Sequence, residues 1–319
     1  MKASVIIPTK NPGLQFKQVL EAVLAQKTPW LFDVLVVDSG STDGTIEYIK
    51  SIEGVCLHQI PAKEFGHGKT RNLGVSMTSG EFVVMITHDA LPASNNWLLE
   101  LVNAASQDDN VAGAFGRHLA YAHDGPFLTR DLQLHFDGFL QWPSPIFLED
   151  QERYDRDVGY RQLLHFFSDN NACLRRSVWE KIPYPEVDFA EDQLWAKQII
   201  EAGYSKAYAD NAVVYHSHTF NFIELFRRSF DEALALNKLF GYELCPSIAH
   251  MFGQAYLTII NDVKYLMKEK KLLNNFIWLV RVPFRNIAKQ VGYYCGQRAD
   301  RLPAQVINIF SRDKSLQRR

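Results

Sequence analysis

The chain has 319 residues, an apolar fraction of 47% and a formal net charge of −2. That length suits one large domain or a domain with a smaller companion, and the composition is that of a globular protein, not a disordered or fibrous one. Four scattered cysteines, Cys56, Cys173, Cys245 and Cys295, exclude a disulfide framework and a cysteine zinc site. No run reaches the roughly 18 apolar residues of a membrane span. Pro8 ends the first apolar run, Val5-Ile6-Ile7, so no signal peptide is expected. The net charge hides an asymmetry: from Lys264 to Arg319 there are 13 Lys/Arg against 3 Asp/Glu. A basic tail on an acidic body suits an anionic partner, membrane lipid or nucleic acid, or a solvated helical face.

In chain order, Ser4–Ile7 reads as a buried strand that runs into Pro8-Thr9-Lys10-Asn11. Gln15–Gln26 follows as a helix with Phe16, Val19, Leu20, Val23 and Leu24 on one face. Asp33–Val37 is a strand ending in Asp38, followed by the turn residues Ser39-Gly40-Ser41-Thr42-Asp43-Gly44 and a helix over Thr45–Ser51. Asp43 is expected to cap that helix. Val55–Gln59 is a short strand, Lys69–Met77 a helix, Glu81–Thr87 a buried strand, Asn95–Ala105 a helix and Val111–Arg117 a strand. From Ala120 to Asp169 the pattern is irregular, as in a functional loop or lid. Asn170–Leu174 returns to the sheet, Asp192–Ala202 is a helix closed by Gly203, and Ala212–Tyr215 is a last strand. From Phe220 to about Gln297 the pattern is helical. The alternation predicts an α/β fold with a mostly parallel sheet and helices on both faces.

Five sets of residues carry candidate chemistry. Asp38 and Pro8-Thr9 lie at strand ends, where open α/β sheets hold ligands, although an aspartate there also serves as a turn residue. Lys63 to Gly74 contains Gly68-Lys69-Thr70, but Lys63 replaces the glycine a P-loop needs; Arg71 offers a planar fork suited to a diphosphate. Thr87-His88-Asp89-Ala90 ends another strand. Asp188-Phe189-Ala190-Glu191-Asp192-Gln193-Leu194-Trp195 places two carboxylates at a helix start, which the helix dipole alone also favours. Tyr215-His216-Ser217-His218 follows the last strand; two histidines alone do not make a zinc site.

Together these stretches resemble the inverting nucleotide-sugar glycosyltransferases of the GT-A fold, family 2. Phe65-Gly66-His67-Gly68 and Thr87-x-Asp89-Ala90-Leu91-Pro92 resemble the bacterial rhamnosyltransferase branch. The resemblance covers the chain to His218 and implies a GT-A domain over 1–218, with a nucleotide-sugar half (1–118) and an acceptor half (119–218). A helical extension over 219–319 is basic and aromatic between Leu272 and Tyr294, with Lys271, Phe276, Trp278 and Arg281, as at an anionic membrane surface.

By the same resemblance, Pro8, Thr9, Asn11, Asp38, Ser39, Lys69, Arg71, His88 and Asp89 contact the nucleotide sugar, Asp192 is the general base and Glu191 supports it. Asp89, with His216 or His218, holds Mg²⁺ or Mn²⁺; Thr87 stands where the first carboxylate of Asp-x-Asp is usual. Asn170, Asn171 and Trp195 are acceptor-side candidates. The implied reaction moves L-rhamnose from dTDP-L-rhamnose to a glycan or polyprenyl-linked acceptor in surface-polysaccharide or O-antigen synthesis. It would take place on the cytoplasmic face of the inner membrane, with no nucleic-acid partner. Another donor, such as a UDP-hexose, and a non-catalytic nucleotide- or glycan-binding module are the alternatives at this point.

Overall fold

The computed structural model describes residues 1–187, 189–268 and 276–317. Asp188, Lys271, Leu272, Arg318 and Arg319 lie outside the described residues, and of Phe276 only the backbone is described. The chain divides into two compact units, Met1–Ser217 and His218–Arg319.

The first unit is built on β1 (Ala3–Thr9), β2 (Phe32–Asp38), β3 (Val55–Gln59), β4 (Phe82–Ile86), β5 (Leu91–Pro92), β6 (Val111–Leu119), β7 (Asn171–Arg175) and β8 (Ser205–Tyr215). They form one sheet in the order β3-β2-β1-β4-β7-β6-β8-β5. The pairs β1–β2, β1–β4, β2–β3 and β6–β8 are parallel, and β4–β7, β6–β7 and β5–β8 antiparallel, so the sheet is mixed. Both faces are covered, which is why β1 and β4 read as unbroken apolar runs. Alternate residues sort the two layers. Val5, Ile7, Val34, Val36 and Val84 pack with Phe16, Val19 and Leu20 of α1 (Gln15–Leu24) and with Trp97 and Leu101 of α4 (Trp97–Ser106). Ile6, Leu35, Val37, Val83 and Met85 face the other layer, formed with α3 (His67–Ser76) and α9 (Glu191–Glu201). The short helix α2 (Thr45–Lys50) follows the β2 turn. Asp43 accepts from the Thr45 N–H at 3.2 Å, at the entry to that helix.

Two expectations are corrected. The stretch from Ala120 to Asp169 is not irregular: it holds α5 (Pro126–Phe139), α6 (Gln151–Arg156) and α7 (Val158–His165). Its legible signals were Pro126 in a first helical turn and two N-caps, Asp150 accepting from Arg153 N at 2.8 Å and Asp157 from Tyr160 N at 3.1 Å. The last strand also starts seven residues earlier than expected, at Ser205. Lys206 disguised it. This lysine is fully buried, and its ammonium donates to the carbonyls of Leu163, at 2.8 Å, and Phe166, closing the carboxyl end of α7.

The antiparallel strand β7 has a consequence for the site. It starts beside the ends of β4 and β6, with Ile86 opposite Asn171 and Phe115 opposite Ala172, while Leu119 ends β6 beside Tyr215 of β8. One sheet edge therefore collects the carboxyl ends of β1, β2, β4, β6 and β8 and the amino end of β7.

The second unit is helical: α10 (Phe222–Phe240), α11 (Ile248–Lys268), α12 (Phe276–Gly296), α13 (Ala304–Phe310) and α14 (Arg312–Gln317) follow a four-residue helix, α8 (Arg176–Trp179), of the first unit in the chain order. Asn221 and Glu224 cap α10 reciprocally, and Gly241 ends it at φ 69°. Gly292 and Gly296 let α12 lie directly on α10: a Cβ there would sit 2.5 Å from the Phe226 carbonyl oxygen and 2.2 Å from that of Phe230. Asn286 donates to buried Asp262 at 2.8 Å, fixing α12 against α11. Among the described residues no helix is long and apolar enough to cross a membrane.

Candidate active site

The ends of β1 and β2 form one laced wall. Ser39 donates through its N–H (3.0 Å) and its hydroxyl (3.1 Å) to the Thr9 carbonyl. Asn11, at φ 44°, donates to the Ser41 hydroxyl at 2.8 Å and accepts from the Thr42 N–H at 2.7 Å. Asp38 is fully buried. It accepts from the N–H groups of Gly40 and Ser41, both at 2.9 Å, and from the Ser41 hydroxyl. Its carboxylate shapes this turn through these bonds. Pro8 is half-buried, Asn11 is exposed, and the buried Thr9 hydroxyl has no hydrogen-bond partner. An unpaired buried hydroxyl at a sheet edge calls for a polar ligand group.

Beyond β4, Thr87, His88 and Asp89 are half-buried, and the Thr87 hydroxyl also lacks a partner. Asp89 Oδ1 lies 3.6 Å from His216 Nε2. His216 is held by its N–H to the Leu119 carbonyl at 2.9 Å. Tyr121 donates to the Asp89 carbonyl at 3.1 Å and accepts from Gln15, which steadies the aspartate from behind. A carboxylate oxygen beside an imidazole nitrogen suits a hard divalent cation whose other ligands are phosphate and water. His218 is exposed and is the first residue of the second unit.

The sequence reading missed His118. It is 5% exposed, its ring lies 5.4 Å from that of His216, and its Nε2 is unpartnered. Burial, then the neighbouring His216 and His135, hold its pKa well below the usual imidazole value, so it is neutral. A single histidine in an apolar strand carries no sequence signal.

The third group centres on Arg71 in α3. A Cβ on Gly68 would meet the Pro185 carbonyl oxygen at 2.2 Å, so only glycine lets the first turn of α3 approach that segment. Arg71, 5% exposed, donates to Glu191 at 2.6 Å and to the His67 carbonyl at 3.2 Å. Its Nε is 3.1 Å from Asp169 Oδ2, an ion pair whose N–H is not aligned as a hydrogen bond. Tyr184 donates to the other Asp169 oxygen. Arg71 is thus paired with two carboxylates, Asp169 and Glu191. Burial alone would lower its pKa, but Asp169 and Glu191 raise it.

Asp192 opens α9 next to Glu191, after Ala190 at φ 58°. Ala190 and Asn11 are the non-glycine residues at positive φ among the described residues, and both border the site, where such strain tends to collect. Asp192 accepts from the N–H of Gln193 at 2.8 Å and of Asp169 at 3.2 Å. Burial, then the charge of Glu191, push its pKa up to about 6, against the pull of Arg71. Burial likewise raises Asp169 well above the carboxylate range, against Arg71, in a cluster of three carboxylates around one guanidinium. Asp169 had not been expected here; it closed a stretch read as loop.

Of the remaining candidates, Lys69 is exposed and Asn170 half-buried. Asn171 and Trp195 are fully buried. Asn171 accepts from the Trp97 indole at 2.7 Å and donates to the carbonyls of Ala212 (2.7 Å) and Arg117 (3.2 Å), so it ties α4 to the sheet. Trp195 donates to the Ile182 carbonyl at 2.8 Å and packs on Phe167 and Tyr184.

A doubly covered mixed sheet with loops and carboxylates gathered along one edge is the GT-A arrangement. The chain belongs to glycosyl transferase family 2, whose family model matches residues 4–182. It is 32% identical to the O-antigen chain rhamnosyltransferase RfbN of Salmonella typhimurium, over 99% of this chain and 96% of that protein. It is 30% identical to the O-antigen chain rhamnosyltransferase WbaN of Salmonella anatum, over 98% and 94%. Among solved structures, it is similar in fold to the mannosyltransferase PcManGT of Pyrobaculum calidifontis in complex with GDP-Man and Mn²⁺. That match has a TM-score of 0.60 and 18% identity, over 94% of this chain and 88% of that one.

Proposed function

We propose that the protein is an inverting rhamnosyltransferase that moves L-rhamnose from dTDP-L-rhamnose to a lipid-linked glycan in O-antigen assembly. The work would be done at the cytoplasmic face of the inner membrane. The names of the two Salmonella relatives support the sugar and the setting. The observation that carries the chemistry is Asp192: a half-buried carboxylate with a pKa near 6, at the sheet edge that also holds Thr9, Asp89 and His216. A base of that pKa is ionised at neutral pH and stronger than an ordinary aspartate.

In this reading the wall formed by Pro8, Thr9, Asn11 and Ser39 takes the nucleotide, with Asp38 holding its shape and Lys69 and His88 at its margin. Asp192 takes the proton of the acceptor hydroxyl. The hydroxyl oxygen bonds to the anomeric carbon as the bond to the diphosphate breaks on the opposite face, and dTDP leaves with the electron pair. Asp89 and His216 would hold Mg²⁺ or Mn²⁺, which when bound supplies charge neutralisation for the departing diphosphate. Glu191 and Arg71 hold the base in place, with Asp169 lending a backbone N–H.

The test is turnover of a panel of sugar nucleotides by the full chain, with and without Mg²⁺ or Mn²⁺, alongside Asp192→Asn. The expected result is a preference for dTDP-L-rhamnose, and a variant that binds the donor normally while losing roughly 10²–10⁴-fold in rate. Turnover of a UDP-hexose in preference to dTDP-L-rhamnose would remove the rhamnosyl assignment. Full activity of the variant would remove Asp192 as base.

A further inference from the structure

The second unit leaves a set of large apolar side chains outside its packing. On α12, Ile277, Val280, Phe284 and Ile287 recur every three or four residues and are 64, 53, 58 and 46% exposed. They form one stripe of the helix, whereas Val282, Asn286 and Gln290 on its opposite side are buried. The first turn of α10 extends the patch. Phe222 and Ile223 are 42 and 65% exposed, and the Phe222 ring lies 5.9 Å from that of Phe284. Arg281, beside the stripe, is exposed, its guanidinium 5.8 Å from the Trp278 ring; Lys289 is half-buried, and Arg285 is turned to Asp262 at 3.7 Å. From 276 to 317 the chain has seven Lys/Arg and two Asp/Glu.

We propose that this face of α12, with the start of α10, docks in the plane of an anionic phospholipid bilayer. The apolar stripe enters the boundary between headgroups and acyl chains, and Arg281 and Lys289 lie at the level of the phosphates. This deepens, and rests on, the reading that the acceptor is lipid-linked. Charge complementarity selects the occupant. An apolar stripe flanked by cations matches a negatively charged leaflet, and the pair of signals is what reversible surface attachment needs. A second copy of the chain would set the same cations against each other.

The experiment is cosedimentation of the full chain with phosphatidylcholine vesicles, with and without phosphatidylglycerol, at low and high salt. The variants are Phe284→Ser/Ile287→Ser and Arg281→Glu, with circular dichroism as the folding control and dTDP-L-rhamnose binding measured in parallel. The wild type is expected to bind the anionic vesicles about tenfold more tightly than the neutral ones. The double variant should lose about tenfold at both salt levels, and Arg281→Glu mainly at low salt. Equal binding by the folded double variant, or no binding by the wild type, overturns the proposal. So does a wild-type dimer that the double variant dissolves, since the face would then belong to a second copy. Donor binding without vesicle binding ends the docking proposal alone; vesicle binding without dTDP-L-rhamnose binding ends the rhamnosyl reading alone.

Discussion

Asp192→Asn tests the electrostatics of the site apart from its chemistry. In the folded protein the Asp192 pKa rises from an ordinary 3.8 to about 6, through burial and then Glu191. The folded state therefore keeps a proton that the unfolded chain has already lost between those values. Wild-type stability falls as pH rises through that window and levels off above about 6. The ionised carboxylate costs the fold about 2–3 kcal/mol at pH 7.5, and about half of that at pH 5. The amide removes this cost. It also offers one acceptor where the carboxylate offered two, so one of the N–H bonds from Gln193 or Asp169 is lost, at about 1 kcal/mol. The variant should be more stable than the wild type by about 1–2 kcal/mol at pH 7.5 and nearly equal to it at pH 5. Urea denaturation followed by tryptophan fluorescence reads this directly, because five of the six tryptophans lie in the first unit. A wild type more stable than the variant at pH 7.5, or a gap that does not change with pH, would refute the reasoning. Wild-type turnover should move the other way, rising with pH through about 6 as the base ionises.

Arg71→Met keeps volume but strands Asp169 and Glu191 in a buried place. It should cost about 3–5 kcal/mol in urea denaturation, and it should shift the acid limb of the rate profile upward, since Arg71 lowers the Asp192 pKa. Asp89→Asn keeps shape and removes an anionic oxygen; the Mn²⁺ concentration for half-maximal turnover should rise by about tenfold or more, with the thermal midpoint unchanged. Asn171→Ala leaves the Trp97 indole and the carbonyls of Ala212 and Arg117 without their partner. It should lower stability by about 2–4 kcal/mol and reduce activity only through the amount of folded protein.

The motifs that were legible in the chain are local ones. An apolar run stopped by Asp38, Pro8-Thr9 at another strand end and a carboxylate pair before an amphipathic helix each follow from a period of two or 3.6 and from turn chemistry. They placed β1, β2 and β4, Asp89 just past the end of β4 and Asp192 at the start of α9. The helices between Pro126 and His165 were hidden by charged residues within the apolar pattern, and β8 by a lysine whose partners are carbonyls elsewhere in the chain.

The amino-acid order alone determined the α/β class, the family resemblance and the identity of the carboxylates, because periodicity, strand ends and turn residues act over a few neighbours. Only the tertiary structure decided which partners each side chain meets. It turned Asp38 onto its own loop, closed Asn171 and Trp195 into the core, and paired Arg71 with Glu191, 120 residues along the chain. Partner choice of this kind depends on which groups burial leaves together and on which charges must then be neutralised. Both are properties of the packed chain and not of any short segment of it.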